Sequence, residues 1–179
     1  MLEIQDCCLI VVDVQGNLAQ LMIEKEVLFK NLRILIQAAK ILSIPILWCQ
    51  QAPDVLGPTI PEIAQLHGGN EPINKTCFSC CFCQEFNEKL QNLNRQQIIL
   101  CGIETHVCIY QTAVDLLEMD YELDVVTDAV SSRTPENKQI GLDRISAEGA
   151  RLTSTEMAIF EILRTAEHPA FKQIAKLVK

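Results

Sequence analysis

Three residues of different chemical type stand where a catalytic group would be useful. Asp13 follows an apolar run in Val-Val-Asp-Val-Gln, Lys75 sits in Ile-Asn-Lys-Thr-Cys-Phe-Ser, and Cys108 closes Leu-Cys-Gly-Ile-Glu-Thr-His-Val-Cys. If they converge, the carboxylate can take the thiol proton, and the ammonium can steady the resulting anion while keeping the carboxylate ionised. Taken singly, each has a plainer role: Asp13 as a strand-end cap, Lys75 as a solvated loop lysine, Cys108 as one more buried thiol. Thr105 reads as an N-cap, which sets Cys108 in the first turn of the following helix. There, unpaired N–H groups and the helix dipole favour a thiolate and could bind an oxyanion.

Such convergence needs a scaffold. Four short apolar runs read as buried strands: residues 8–14, 44–49, 97–101 and 123–127. A further strand fits between Gly149 and Thr153. Between the strands lie helical patterns: Leu28, Leu32, Leu35, Ile36, Ala39 and Leu42; then Phe82, Phe86, Leu90 and Leu93; then Val107, Tyr110, Val114 and Leu117. Thr134-Pro135 opens another helix that Gly149 closes, Thr153-x-x-Glu156 is a capping box, and His168-Pro169 opens the last one. Continuous apolar strands alternating with helices predict an α/β fold with a mostly parallel, doubly wound sheet covered on both faces. In such a sheet ligands bind beyond the carboxyl ends of the strands, where Asp13 and Cys108 are expected. Residues 50–73 break the rhythm with Pro53, Gly57, Pro58, Pro61, Gly68, Gly69 and Pro72. This connection has room for only a short helix near residues 61–66.

The chain of 179 residues is enough for one domain, read here as 1–179, with no internal repeat or linker. Its net charge of −8, with no basic run, disfavours nucleic acid or an anionic membrane as partner. The N-terminus has no basic n-region, and its apolar run is too short to span a bilayer. Nine cysteines, several inside apolar runs, fit reduced thiols in the cytoplasm better than a disulfide framework.

Asp13 with Gln15, Lys75 ahead of Phe78-Ser79, and Gly102-Ile103-Glu104-Thr105-His106-Val107-Cys108 resemble, in order and spacing, the Asp, Lys, Cys triad of the isochorismatase-like cysteine hydrolase superfamily. The likeness continues through residues 56–62, 128–133 and 168–172, in the pattern of the isochorismatase domain-containing branch, and covers nearly the whole chain. The resemblance implies a three-layer α/β/α fold with a six-stranded sheet whose first and fourth strands are neighbours. It also implies a cis peptide at Ile103–Glu104, with the Glu104 and Cys108 N–H groups as oxyanion donors, and a homo-oligomer, dimer or larger. The apolar faces of the terminal helices (Ile159, Ile162, Leu163, Phe171, Ile174, Val178) offer surface for such an assembly.

Nicotinamidases of this superfamily carry an Asp-x-His and a further His after the second strand. Here the stretch reads Trp48-Cys49-Gln50-Gln51-Ala52-Pro53-Asp54, so neither a catalytic metal nor another cofactor is expected. Cys77, Cys80, Cys81 and Cys83 overlap the start of a helix, where their side chains should point in different directions rather than around one ion. Gln15, Trp48, Gln50 and His106 are candidates for the substrate pocket. Arg133 could anchor an acidic substrate or serve a subunit contact. The leading expectation is a hydrolase of a small amide, N-carbamoyl or related acyl compound through a Cys108 thioester. The alternatives are a binding or scaffold protein that retains the triad, and a vinyl-ether hydrolase of the isochorismatase type.

Overall fold

The computed structural model describes residues 1–179. Six parallel strands, β1 (Cys7–Val12), β2 (Ile46–Gln51), β3 (Ile73–Lys75), β4 (Gln97–Ile103), β5 (Glu122–Ser131) and β6 (Arg151–Thr153), form one sheet in the order β3-β2-β1-β4-β5-β6. Strand β1 (Cys7–Val12) pairs with β2 (Ile46–Gln51) on one side and β4 (Gln97–Ile103) on the other. The first and fourth strands are therefore neighbours, and the fold is the three-layer α/β/α arrangement. All six residues of β1 and all seven of β4 are buried, as strands covered on both faces must be.

After the short α1 (Gly16–Gln20), the longer helices separate into two layers. On one face α2 (Lys25–Ile41) and α8 (Thr155–Leu163) pack Leu32, Leu35, Ile36, Ala158 and Ile159 against Leu9, Val11, Trp48 and Ile99. The opposite face is covered by α5 (Gln84–Leu93), α6 (Tyr110–Glu118) and α7 (Pro135–Ala147). There Phe86, Leu90, Ala113, Leu116 and Ile145 meet Cys8, Ile10, Ile98 and Leu100. A fully buried Leu or Phe of this kind contributes about 1.5–3 kcal/mol. All the candidate chemistry grows from the carboxyl ends above this second layer.

Several boundaries differ from expectation. Strand β3 (Ile73–Lys75) was not legible: three residues with only Ile73 apolar show no period, and the strand exists because β2 offers it an edge. Strand β5 runs from Glu122 to Ser131, well beyond Thr127. Its pairing with β4 slips between Leu100 and Gly102, and the two strands then continue together to Ile103 and Ser131. Helix α5 starts at Gln84, so Phe82 falls in a 3₁₀ turn (Cys80–Phe82) and is 79% exposed rather than part of the inward stripe. The cap of α8 is Ser154, whose Oγ accepts from Met157 N, because Thr153 is already claimed by pairing with Val126 in β6 (Arg151–Thr153).

The final helix spans only Phe171–Ile174; His168 Nδ1 instead takes the Ala170 N–H in the turn before it. The long connection holds two one-turn helices, α3 (Pro53–Leu56) and α4 (Pro61–Ala64), of which only the second was expected. Terminal residues Ile159, Ile162, Leu163 and Ile174 are buried within this one chain, and Phe171 and Val178 pack against the same core. Ile159, Ile162, Leu163 and Ile174 are thus used in folding, while Phe171 and Val178 are only half-buried.

Candidate active site

Lys75 ends β3, and its side chain crosses the end of β2 to reach Asp13, the residue after β1. Lys75 Nζ donates to Asp13 Oδ2 at 2.7 Å, with side chains 0% and 1% exposed. Three more oxygens surround the ammonium: Gln51 Oε1 at 2.8 Å, Phe78 O at 3.1 Å and Cys77 O at 3.2 Å. Four acceptors for three N–H groups leave Lys75 no free proton to offer a substrate, so it acts as a fixed positive charge. Its charge is held firmly: burial opposes the ammonium, but the Asp13 carboxylate and the neighbouring thiols outweigh it and raise the pKa.

Asp13 stands at φ 54°, in the left-handed region where a non-glycine residue is uncommon. Its second oxygen, Oδ1, is buried and has no hydrogen-bond partner. Burial pushes the carboxyl above the usual aspartate range, against the pull of Lys75. The Cys108 thiol is near enough for the two groups to influence each other's titration, although no well-formed hydrogen bond joins them. An orphaned carboxylate oxygen next to a thiol is a proton acceptor in waiting.

Cys108 lies in a π-helical turn (Thr105–Ile109) that leads directly into α6, and is 7% exposed. The turn begins after Glu104 rather than at a Thr105 cap, and Thr105 Oγ1 is itself buried without a partner. Burial, reinforced by the Asp13 charge, pushes the thiol well up, with only Lys75 pulling it down. At rest Cys108 is therefore a thiol; the thiolate expected from helix placement is outweighed by desolvation and by the adjacent carboxylate. The Ile103–Glu104 peptide is cis. Glu104 N–H donates to no acceptor in the chain, while its carboxylate accepts from Arg133 Nε at 3.0 Å and from Arg133 N at 3.3 Å. Arg133 is thus tied to the loop that leads to Cys108.

The remaining candidates are dispersed. Gln15 is fully buried and spent as a clamp: its Nε2 donates to Gln51 O and Gly57 O, and its Oε1 accepts from Gln51 N. Gln50 Nε2 donates to Thr59 Oγ1, which holds the long connection down. Trp48 lies in the core of the α2 face, edge-on to His67 with centroids 4.2 Å apart. Even strand positions at 48 and 50 point away from the face on which Lys75 and Cys108 meet, which is why these two residues miss the site. His106 Nδ1 pairs with Ser132 Oγ at 3.0 Å, toward the end of β5.

Gln51, by contrast, escaped notice although it touches Lys75. The signal was available: two residues beyond Cys49, it shares the face that carries the chemistry. A cleft of about 540 Å3 opens beside Lys75 between Ala52–Val55 and the segment holding Cys77, Phe82 and Cys83; its lining stops short of Cys108. Val55 and Phe82 stand 82% and 79% exposed at its mouth.

The donor set does not suit a metal. The end of β2 offers a thiol and two amides, and no three His, Cys, Asp or Glu side chains come together as an ion-holding group. Among the clustered cysteines, Cys80 points inward to meet the Cys49 thiol, whereas Cys77, Cys81 and Cys83 are half-buried. Cys83 faces Asn74 O, a different direction again.

The model of the isochorismatase domain matches residues 7–157. The chain belongs to the isochorismatase domain family. Isochorismatase domain-containing protein 2A of Mus musculus is 40% identical over 146 residues, 81% of this chain and 69% of its own length. Among solved structures, that described as MAR1 ribonuclease from Caenorhabditis elegans superposes with a TM-score of 0.93 at 36% identity, over 99% of this chain and 91% of its own. The YcaC protein of Escherichia coli, described as an octameric hydrolase of unknown specificity, shares the fold, with a TM-score of 0.93 at 24% identity over 98% and 88%. In this isochorismatase domain no helix is long and apolar enough to cross a membrane.

Proposed function

We propose that the protein is a cysteine-dependent hydrolase of a small amide, N-carbamoyl or related acyl compound. The observation that carries this reading is the buried Lys75–Asp13 pair, with the free Asp13 Oδ1 beside the Cys108 thiol. Two charges withdrawn from water are costly to keep, and a hydrophobic replacement would often serve stability as well. Chemistry gives the pair a purpose. Asp13 takes the thiol proton as Cys108 Sγ attacks the carbonyl carbon, and the Glu104 and Cys108 N–H groups receive the oxyanion. The tetrahedral species collapses as Asp13 returns the proton to the leaving amine, which leaves a thioester. Water then gives its proton to Asp13 and attacks the thioester; the acid departs and Cys108 regains its proton. Lys75 holds Asp13 in place and offsets negative charge throughout.

The amide and thiol donors after β2 support catalysis that needs no metal. A ribonuclease activity, suggested by the name of the C. elegans neighbour, is opposed by the net charge of −8, which repels a phosphate backbone. A homo-oligomer is part of this reading, as in the octameric E. coli relative. A cytoplasmic location fits nine cysteines standing as free thiols.

The test is direct. Incubation with a panel of primary amides, N-carbamoyl compounds and activated esters, followed by peptide mass spectrometry, should find an acyl mass on Cys108 with at least one member. Cys108→Ala should show neither adduct nor turnover. If no member acylates Cys108, or if Cys108→Ala still turns over the substrate, the thioester mechanism fails. With no acylation at all, the protein is a binding protein on a hydrolase fold; release of pyruvate from a vinyl ether by Cys108→Ala would place it with the isochorismatases instead.

A further inference from the structure

Helix α6 carries two buried or half-buried polar residues that the mechanism leaves unused. Thr112 and Asp115 are one helical turn apart and share a face of α6, with Cys108 one turn upstream. Both reach the same short segment. Ser79 Oγ donates a short hydrogen bond to Asp115 Oδ2, and Cys80 N donates to Thr112 Oγ1 at 3.0 Å. Ser79 and Thr112 are 1% and 0% exposed, so the Thr112 bond forms out of water, where an unmatched partner is expensive, and Ser79 reaches outward to a half-buried Asp115. Ser79 Oγ also accepts from Cys81 N at 3.2 Å, which makes it the N-cap of the 3₁₀ turn.

The segment so anchored is the one whose preceding carbonyls, Cys77 O and Phe78 O, hold Lys75 Nζ. The helix that begins at the nucleophile therefore also grips the loop that aims the ammonium. Gln51, the remaining neutral partner of Lys75, belongs to β2; its Oε1 accepts from Lys75 Nζ and its Nε2 donates to Thr76 O, so it ties Lys75 and the following residue to the sheet rather than to α6.

We propose that Ser79, Thr112 and Asp115 form a latch that sets the distance between the Lys75–Asp13 pair and Cys108, with Ser79 and Asp115 acting as positioning residues. The inference rests on the Cys108 reading above and adds to it three residues that touch no substrate. Without the latch, the Cys77 and Phe78 carbonyls drift, Lys75 loosens from Asp13, and the carboxylate loses the partner that keeps it ionised.

The test follows Cys108 alone, by iodoacetamide labelling and peptide mass spectrometry across pH, in the full chain. Ser79→Ala should slow labelling of Cys108 by about 10- to 100-fold, the range expected for a misplacement near 1 Å. The acid limb of the rate profile should move to higher pH, because Asp13 is then protonated more readily. Ser79→Thr should restore both, and Ser79→Ala combined with Asp115→Asn should be no slower than the slower single variant, since the pair acts as one unit. Should Ser79→Ala fail to fold, the near-isosteric Asp115→Asn carries the comparison.

Unchanged labelling and an unmoved acid limb in a folded variant would overturn the latch, as would a fall in melting temperature with no change at Cys108. Asp13→Asn separates the two claims. If it slows Cys108 and the latch variants do not, only the latch is wrong; if it has no effect, or speeds labelling as mere loss of a charge that raises the thiol pKa would do, the catalytic reading fails with it.

Discussion

Asp13 occupies a position that only its partners make tolerable. A carboxylate 1% exposed would ordinarily take up a proton, yet Lys75 at 2.7 Å gives it a counter-charge and leaves Oδ1 unoccupied. Burial and ion pairing act in opposite directions, and burial prevails, so Asp13 is a stronger base than a solvated aspartate. The sign of the pH dependence follows. Proton transfer from Cys108 needs Asp13 ionised, so turnover should fall as pH drops through the raised Asp13 pKa. The midpoint of that acid limb should lie above about 4, where a solvated aspartate titrates. A pH–kcat/KM series measures it, and a midpoint at or below that value would contradict the assignment. Asp13→Asn keeps the shape but removes the base, and should lower kcat by about 10²- to 10⁴-fold. A smaller loss, with an unshifted acid limb, would mean that another group takes the proton.

At the scale of elements, two glycines show how tightly the site is framed. Gly102 in β4 stands opposite Val12 at φ 121°, and a Cβ there would lie 2.1 Å from Val12 O. No side-chain movement relieves a clash with backbone, so Gly102→Ala should cost roughly 3 kcal/mol or more from strain and overpacking. For a chain of this size that is a fall in melting temperature of about 6–12 °C, measurable by calorimetry. A loss under about 2 °C would show that β1 and β4 can separate. Gly141 is different: on α7, its Cβ would meet the backbone of Thr105 and His106 at 3.0 Å, a contact that a small shift relieves. That shift falls on the turn that carries Cys108, so Gly141→Ala should cost about 1–3 kcal/mol while reducing Cys108 acylation more than Gly102→Ala does. Equal acylation rates in folded Gly141→Ala and wild type would refute the coupling.

For the molecule as a whole, the open question is what meets the exposed apolar side chains. The terminal helices no longer supply an answer, because Ile159, Ile162 and Ile174 are interior. Among the exposed apolar side chains, Val55, Phe78 and Phe82 are 82%, 53% and 79% exposed around the rim near Lys75, and others such as Leu21, Val27, Ile140 and Met157 lie elsewhere. Large apolar groups clustered near a site mark a contact surface more often than an idle one. Light scattering at micromolar concentration should therefore give a multiple of 20.1 kDa. A single species at that mass would refute self-association, since obligate interfaces of about 2,000 Å2 or more do not dissociate at such dilution.

Chain order and local pattern were sufficient for much of this. Continuous apolar strands, helical stripes and the Thr134-Pro135 boundary specify a parallel α/β sheet, because those signals are local and each depends on neighbours a few residues away. Asp13, Lys75 and Cys108 can be singled out by the order and spacing that carry the family resemblance, while the sheet is what joins Lys75 to Asp13. Other features were decided only by tertiary structure. β3 is a strand because β2 presents an unpaired edge, and no run of three residues can announce that. Gln51 joins Lys75 while Trp48 and Gln50 turn away, a choice made by which face of β2 the α5–α6 layer covers. The protonation of Cys108 was inverted for the same reason: helix position is a local property that favours a thiolate, whereas burial and the field of Asp13 come from strands distant in sequence, and at this site they are the larger effects.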